Sequence, residues 1–230
     1  MVMYSIKRNY MRNLYLSDIT AWAPGLAADE ALWKAWANGN EEILKTNESP
    51  KLEYTDPLFR RRLSQITKMT VQVIHDLFEK SHIDKETKLV FTSLRGEIAR
   101  TLSVTKGIVL DKMILPAGFS LSVFNTPISS ATLAFGLKGG YSVIYPSKSD
   151  FSQAVKAAVA PVLAGTEKEI ILVYADELVP EAYGDKCPEE NLPLAFACIV
   201  SGEKKESCIE LEDFSDIGKS PSEFLRFLLK

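Results

Sequence analysis

Ile170 to Ala175, inside "EIILVYADE", is an unbroken apolar run of strand length whose composition requires cover on both faces. A strand of that kind commits the chain to a layered α/β arrangement with helices on either side of a sheet. The remaining pattern agrees. "KLVFTSLRGE", Lys88 to Glu97, reads as a second buried strand emptying into a glycine turn, and "YSVIY", Tyr141 to Tyr145, as a short extended segment. Leu14 to Trp22 alternates weakly and stops at Pro24 and Gly25. Two alternating runs, "LAFACIVSG" and "ESCIELEDF", flank Glu203 to Lys205 and predict a hairpin. No repeat or linker divides the chain, so residues 1–230 are expected to form one α/β domain, a mixed sheet with helices on both faces.

The helices announce themselves by their caps. Asp29 precedes "EALWKAWANG", which puts Trp33 and Trp36 on one face as core or interface anchors. Asp56 and Pro57 open "DPLFRRRLSQITKMTVQVIHDLFEK", expected as one long helix with Arg60, Arg61 and Arg62 in its first turn. Positive charges there oppose the helix dipole, so this cluster is either solvated and paired or meets an anionic partner. "EIARTLSVTKGIVLD" continues as a helix after the Lys88 strand. "SDFSQAVKAAVAPVLAG" is capped by Ser149 or Asp150, with a kink expected at Pro161, and "PSEFLRFLLK" starts at Ser220 and Pro221.

"FSLSVFNTPISSATLAFG", Phe119 to Gly136, predicts a strand, a sharp turn and a helix. Such an elbow aims helix N–H groups at whatever its tip presents, and nucleophiles are placed there for that reason. The tip here is Thr126, Pro127 and Ile128, with Ser129 and Ser130 suited to the cap and first turn. A free-standing acyl-thioester hydrolase or acyltransferase would use Thr126 or Ser129 with His75 or the Asp176 and Glu177 carboxylates. Adjacent carboxylates at a strand end point different ways, which favours a turn cap over paired acid–base work.

Other chemistries find little. The formal charge of −3 supplies no basic field for a nucleic-acid backbone or an anionic membrane. Cys187, Cys198 and Cys208 are odd in number and fit no disulfide framework or zinc spacing, so they are expected as free thiols. Phosphate-loop and serine-hydrolase motifs are missing, and neither metal nor cofactor is expected. The first residues lack the apolar core of a secretion signal and no run reaches the ~20 apolar residues of a membrane span, which implies a cytoplasmic protein.

"WAPG" at 22–25, "FRRRLSQITKM" at 59–69, "VFTSLRGEIARTL" at 90–102, "FSLSVFNTPISS" at 119–130 and "ILVYADELVPEAY" at 171–183 together resemble the short beta-ketoacyl-synthase-like family. Its members are similar to the N-terminal half of a ketosynthase and are described as chain length factors of aryl polyene biosynthesis. The resemblance implies a thiolase-like half fold and a heterodimer with an active beta-ketoacyl-ACP synthase, acting on a polyene acyl chain held by acyl carrier protein. It also implies loss of catalysis, since the elbow at Thr126, Pro127 and Ile128 carries no cysteine and 230 residues leave no room for a second half with its histidines. Ketosynthases dimerise through the strand leading into the elbow, which by resemblance would be Ser120, Leu121, Ser122, Val123, Phe124 and Asn125. Phe124, Pro127 and Ile128 would then wall the partner's acyl pocket. Arg60, Arg61 and Arg62 would contact the acidic carrier protein or its phosphopantetheine phosphate.

Overall fold

The computed structural model describes residues 13–147, 150–186 and 190–229. Among them, β1 (Leu14–Trp22), β2 (Lys88–Thr92), β3 (Tyr141–Ile144), β4 (Glu169–Asp176), β5 (Leu194–Ser201) and β6 (Ile209–Leu211) form one mixed sheet in the order β3-β2-β4-β5-β1-β6. β2 runs parallel to β3 and β4, and β5 runs antiparallel to β4 and β1.

The apolar run that demands two-sided cover lies at the centre of this sheet. Along β4 the side chains of Ile170, Leu172 and Tyr174 enter one core, and those of Ile171, Val173 and Ala175 enter the other. The first core is closed by α1 (Glu30–Ala37), α7 (Phe151–Ala164) and α8 (Pro221–Leu228). There Phe151, Tyr174, Phe196 and Phe224 meet with ring centroids 5.2 to 6.1 Å apart. The second is closed by α3 (Gln65–Lys80) and α6 (Thr126–Phe135), whose Ile66, Met69, Val73, Leu77 and Ile128 pack on Phe91, Val173 and Ala197. A mixed sheet covered by helices on both faces is thus the architecture, as the sequence implied.

Three local expectations are corrected. "LAFACIVSG" and "ESCIELEDF" form no hairpin, because β1 lies between β5 and β6 and pairs with both. The segment opened by Asp56 and Pro57 is two helices: α2 (Pro57–Arg60) stops after one turn, and α3 starts afresh from an N-cap at Ser64. Arg60, Arg61 and Arg62 therefore end a short helix, where the dipole favours positive charge.

The third correction concerns "FSLSVF". Residues 116–120 form α5 (Pro116–Ser120), followed by a turn, so Ser120 to Asn125 make no strand. Pro116 supplies the preset φ of a first helical turn, and among the described residues no strand lies alongside to complete a ladder for the alternating side chains.

α8 carries a complete capping box: Ser220 accepts from the Glu223 backbone N–H, while the Glu223 carboxylate accepts from the N–H groups of Lys219 and Ser220. Replacing Ser220 by alanine is expected to cost about 1 kcal/mol in urea unfolding, since the Glu223 N–H loses its side-chain acceptor while the apolar face stays packed. No helix among the described residues is long and apolar enough to cross a membrane.

Candidate functional site

The carboxyl ends of β2, β3 and β4 lie together at one edge of the sheet, the place where α/β folds collect binding and catalytic groups. Asp176, wholly buried at the end of β4, accepts from Ser93 Oγ (2.7 Å), the N–H groups of Leu94 (2.9 Å) and Arg95 (3.1 Å), and Tyr174 Oη (2.7 Å). The Arg95 guanidinium lies 3.7 Å away. Burial raises the Asp176 carboxyl above its usual range, opposed by Arg95 and these donors. Three of its four hydrogen bonds shape the loop after β2 and the fourth holds Tyr174, so the carboxylate caps that turn.

Glu177 turns the other way. Its carboxylate accepts from Ala99 N–H (3.0 Å) at the start of α4 (Ile98–Lys106) and from Ile66 N–H (3.5 Å) at the start of α3. It is 3% exposed, and burial lifts its carboxyl to about 7. Glu97, 2% exposed, accepts from Ser64 Oγ (2.7 Å) and Thr67 Oγ1 (2.5 Å) and pairs with Arg100 (3.4 Å). Two buried carboxylates thus pin the start of α4 to the start of α3. Sequence reasoning missed Ser93, Arg95 and Glu97; their signal was the "TSLRGE" turn directly after a buried strand.

Beyond that root the chain leaves the body. α4, a π-helical turn (Gly107–Asp111) and α5 contain no buried residue, and Lys112, at φ +54°, turns the chain back. The arm so formed exposes Leu110 (70%), Leu115 (68%) and Met113 (60%), with Val109, Ile114, Phe119 and Val123 also open. At its base Phe124 lies against Gly96, where a Cβ would come within 2.6 Å of the ring, and meets Tyr145 edge-on at 6.4 Å. The apolar arm is therefore continuous with the end of β3.

Among the described residues β3 has one strand neighbour, β2, and the run Tyr141-Ser142-Val143-Ile144 contains neither charge nor proline. Its outer edge is unguarded. The opposite flank is blunted: β1 slips register between Ser17 and Thr20, Asp18 adopts φ +53°, and Lys80 Nζ donates to the Ile19 carbonyl at 3.1 Å.

The residues singled out from sequence are dispersed. Thr126, Pro127 and Ile128 form the buried first turn of α6, and Ile128 is wholly enclosed by this chain's own core. Ser129 donates to the Thr126 carbonyl, and among the described residues no hydrogen bond links Thr126 or Ser129 to His75, Asp176 or Glu177. His75 stacks on Tyr54 at 3.6 Å and contacts Asp76. Arg60 Nη1 donates to the carbonyls of Leu52, Glu53 and Thr55, whereas Arg61 and Arg62 are exposed. The strand followed in the chain by a helix at this end of the sheet is β3, and that helix, α7, is capped by Asp150. Cys198 is buried and Cys208 partly so; Cys187 and Ser149 lie outside the described residues.

The family model for the beta-ketoacyl synthase N-terminal domain matches residues 33–223. Among solved structures, the complex of a ketosynthase with its chain length factor from Xenorhabdus doucetiae matches at TM-score 0.70 and 24% identity, over 82% of this chain and 79% of that one. The ishigamide ketosynthase/chain length factor matches at TM-score 0.62 and 11% identity, over 85% of this chain and 63% of that one. A type II polyketide acyl-carrier protein complexed with its hexaketide-bound ketosynthase matches at TM-score 0.63 and 11% identity, over 84% and 64%. These likenesses establish a thiolase-like ketosynthase fold. No curated protein matches the chain.

Proposed function

Because the chain belongs to the beta-ketoacyl synthase N-terminal domain family, we propose that it is a non-catalytic, chain-length-factor-like subunit pairing with an active beta-ketoacyl-ACP synthase. In this reading residues 1–230 act as one ketosynthase-like half-domain in the cytoplasm, and the pair elongates a polyene chain on acyl carrier protein.

The observation that carries the reading is the unguarded β3 edge beside an arm of uncovered apolar side chains. Monomers rarely leave such a surface open, and a strand edge with no charge invites a partner strand. The pairing strand is accordingly β3, and Ser120 to Asn125 contribute as the base of the arm. Ile128 faces this chain's own core, so the wall of the partner's acyl pocket is assigned to Phe124 and the arm. Of the three arginines, Arg61 and Arg62 remain open to an acidic carrier protein.

Condensation requires a thiolate at the elbow. Neither Thr126, Pro127 and Ile128 nor residues 145–150 after β3, Tyr-Pro-Ser-Lys-Ser-Asp, include a cysteine, and burial pushes the Cys198 thiol up to about 12. Co-expression with the ketosynthase encoded nearest to this chain, followed by size-exclusion chromatography with light scattering, should yield a stable 1:1 complex. A chain that associates with no active ketosynthase would sink the proposal.

A further inference from the structure

On the opposite flank of the sheet lies a cavity of about 540 Å³, within the size range of small-molecule sites. Its origin is local. β6 pairs with β1 only as far as Leu16, and past the bulge at Asp18 no strand among the described residues lies outside the second half of β1. The wedge left open is lined by Ile19, Ala21 and Ile209 from the sheet, by Trp33 and Ala28 at α1, and by Leu228 from α8. Ala21 and Ala28 are too small to fill it.

The charges around this wedge are unequal in their commitments. Glu30 lies 3.6 Å from Lys80 Nζ, and Asp76 accepts from Gln72 (2.7 Å) and meets the His75 ring (3.2 Å) through Oδ1, while its Oδ2 is buried without a hydrogen-bond partner among the described residues. Lys34 lines the same cavity, and among the described residues no carboxylate lies within ion-pair distance of it. Apolar walls with one uncommitted ammonium are the complement of a molecule with a hydrocarbon body and a single anionic end.

We propose that this notch binds a linear aliphatic carboxylate, its chain against Trp33, Ile209 and Leu228 and its head at Lys34. The site is separate from the β3 edge and from the arm, so it stands or falls independently of the partner assignment.

The probe is decanoate, with decan-1-ol as the uncharged comparison, and the readout is the emission of the tryptophans, of which Trp33 lines the cavity. Titration of the full chain below the micelle concentration should give a saturable change, with decanoate bound about five-fold more tightly than decan-1-ol. Lys34→Met should remove that preference and leave decan-1-ol binding unchanged. Ala21→Leu should abolish binding of both at an unchanged melting temperature. Should Ala21→Leu fail to fold, Ala28→Phe blocks the same space from an exposed position. The proposal is overturned by a titration that does not saturate, by binding that survives both blocking variants, or by a carboxylate preference that survives Lys34→Met.

Discussion

Glu177→Gln should make the protein more stable at pH 8 and no more stable at pH 5, abolishing most of a pH dependence that the parent shows between those values. The folded-state carboxyl titrates near 7, against an ordinary 4.5, because burial disfavours the charge and Glu97 and Asp176 repel it. The contribution of this group is complete below pH 4.5, where folded and unfolded chains both hold the proton. It declines as pH rises, since the unfolded carboxyl ionises first, and is fully lost above the folded value. A difference of that size corresponds to about 3 kcal/mol. The amide keeps an oxygen for the Ala99 N–H, so the capping contact at α4 survives. Urea unfolding of parent and variant at pH 5, 6.5 and 8 reads this directly. An unchanged slope in the variant would assign the pH dependence to a different carboxyl.

A natural sequence retains such a cost where the group does something else. Glu177 and Glu97 fix the direction in which α4 leaves the body, and α4 has no buried side chain of its own to do so. The aim of the arm is thus set by polar contacts at its root.

The second large effect is expected at the arm itself. Leu110→Asp with Leu115→Asp should weaken association with the ketosynthase at least about 100-fold, because apolar anchors at the centre of an interface carry on the order of 2 kcal/mol each. Folding stability should stay within about 0.5 kcal/mol of the parent, since both side chains are 68% or more exposed in the single chain. Light scattering of the co-expressed pair and urea unfolding of the lone subunit separate the two quantities. A complex that persists in the double variant would remove the arm from the interface, and a large loss of stability would show that the arm packs on its own body.

Much of the architecture was legible because it rests on local pattern. β4 and β5 are apolar from Ile170 to Ala175 and from Leu194 to Val200, and Asp29, Asp150 and Ser220 cap the helices that follow them. What sequence concealed depends on residues far along the chain. The helix opened by Asp56 breaks because Ser64 and Thr67 are held by Glu97, some thirty positions on. β6 reads as the second arm of a hairpin until β1, from the other end of the chain, is found beside it. "FSLSVF" alternates like a strand, yet a ladder needs a neighbour that this chain does not provide. The candidate site is half visible: "TSLRGE" and "YADE" read as strand ends, but their shared buried cluster depends on β2 and β4 being adjacent.

The insertion of β1 between β5 and β6 sets a condition on synthesis. A nascent chain makes its first strand early and its flanking strands last, so β1 waits for both neighbours while nearly the whole chain is translated. At ordinary elongation rates that is roughly 10 to 40 s. Throughout that interval Leu14, Leu16 and Trp22, all buried in the finished sheet, lack the strands that flank them and have only the early helices α1 and α3 for cover. Truncation before Ile209 accordingly releases a chain in which β1 lacks its outer neighbour.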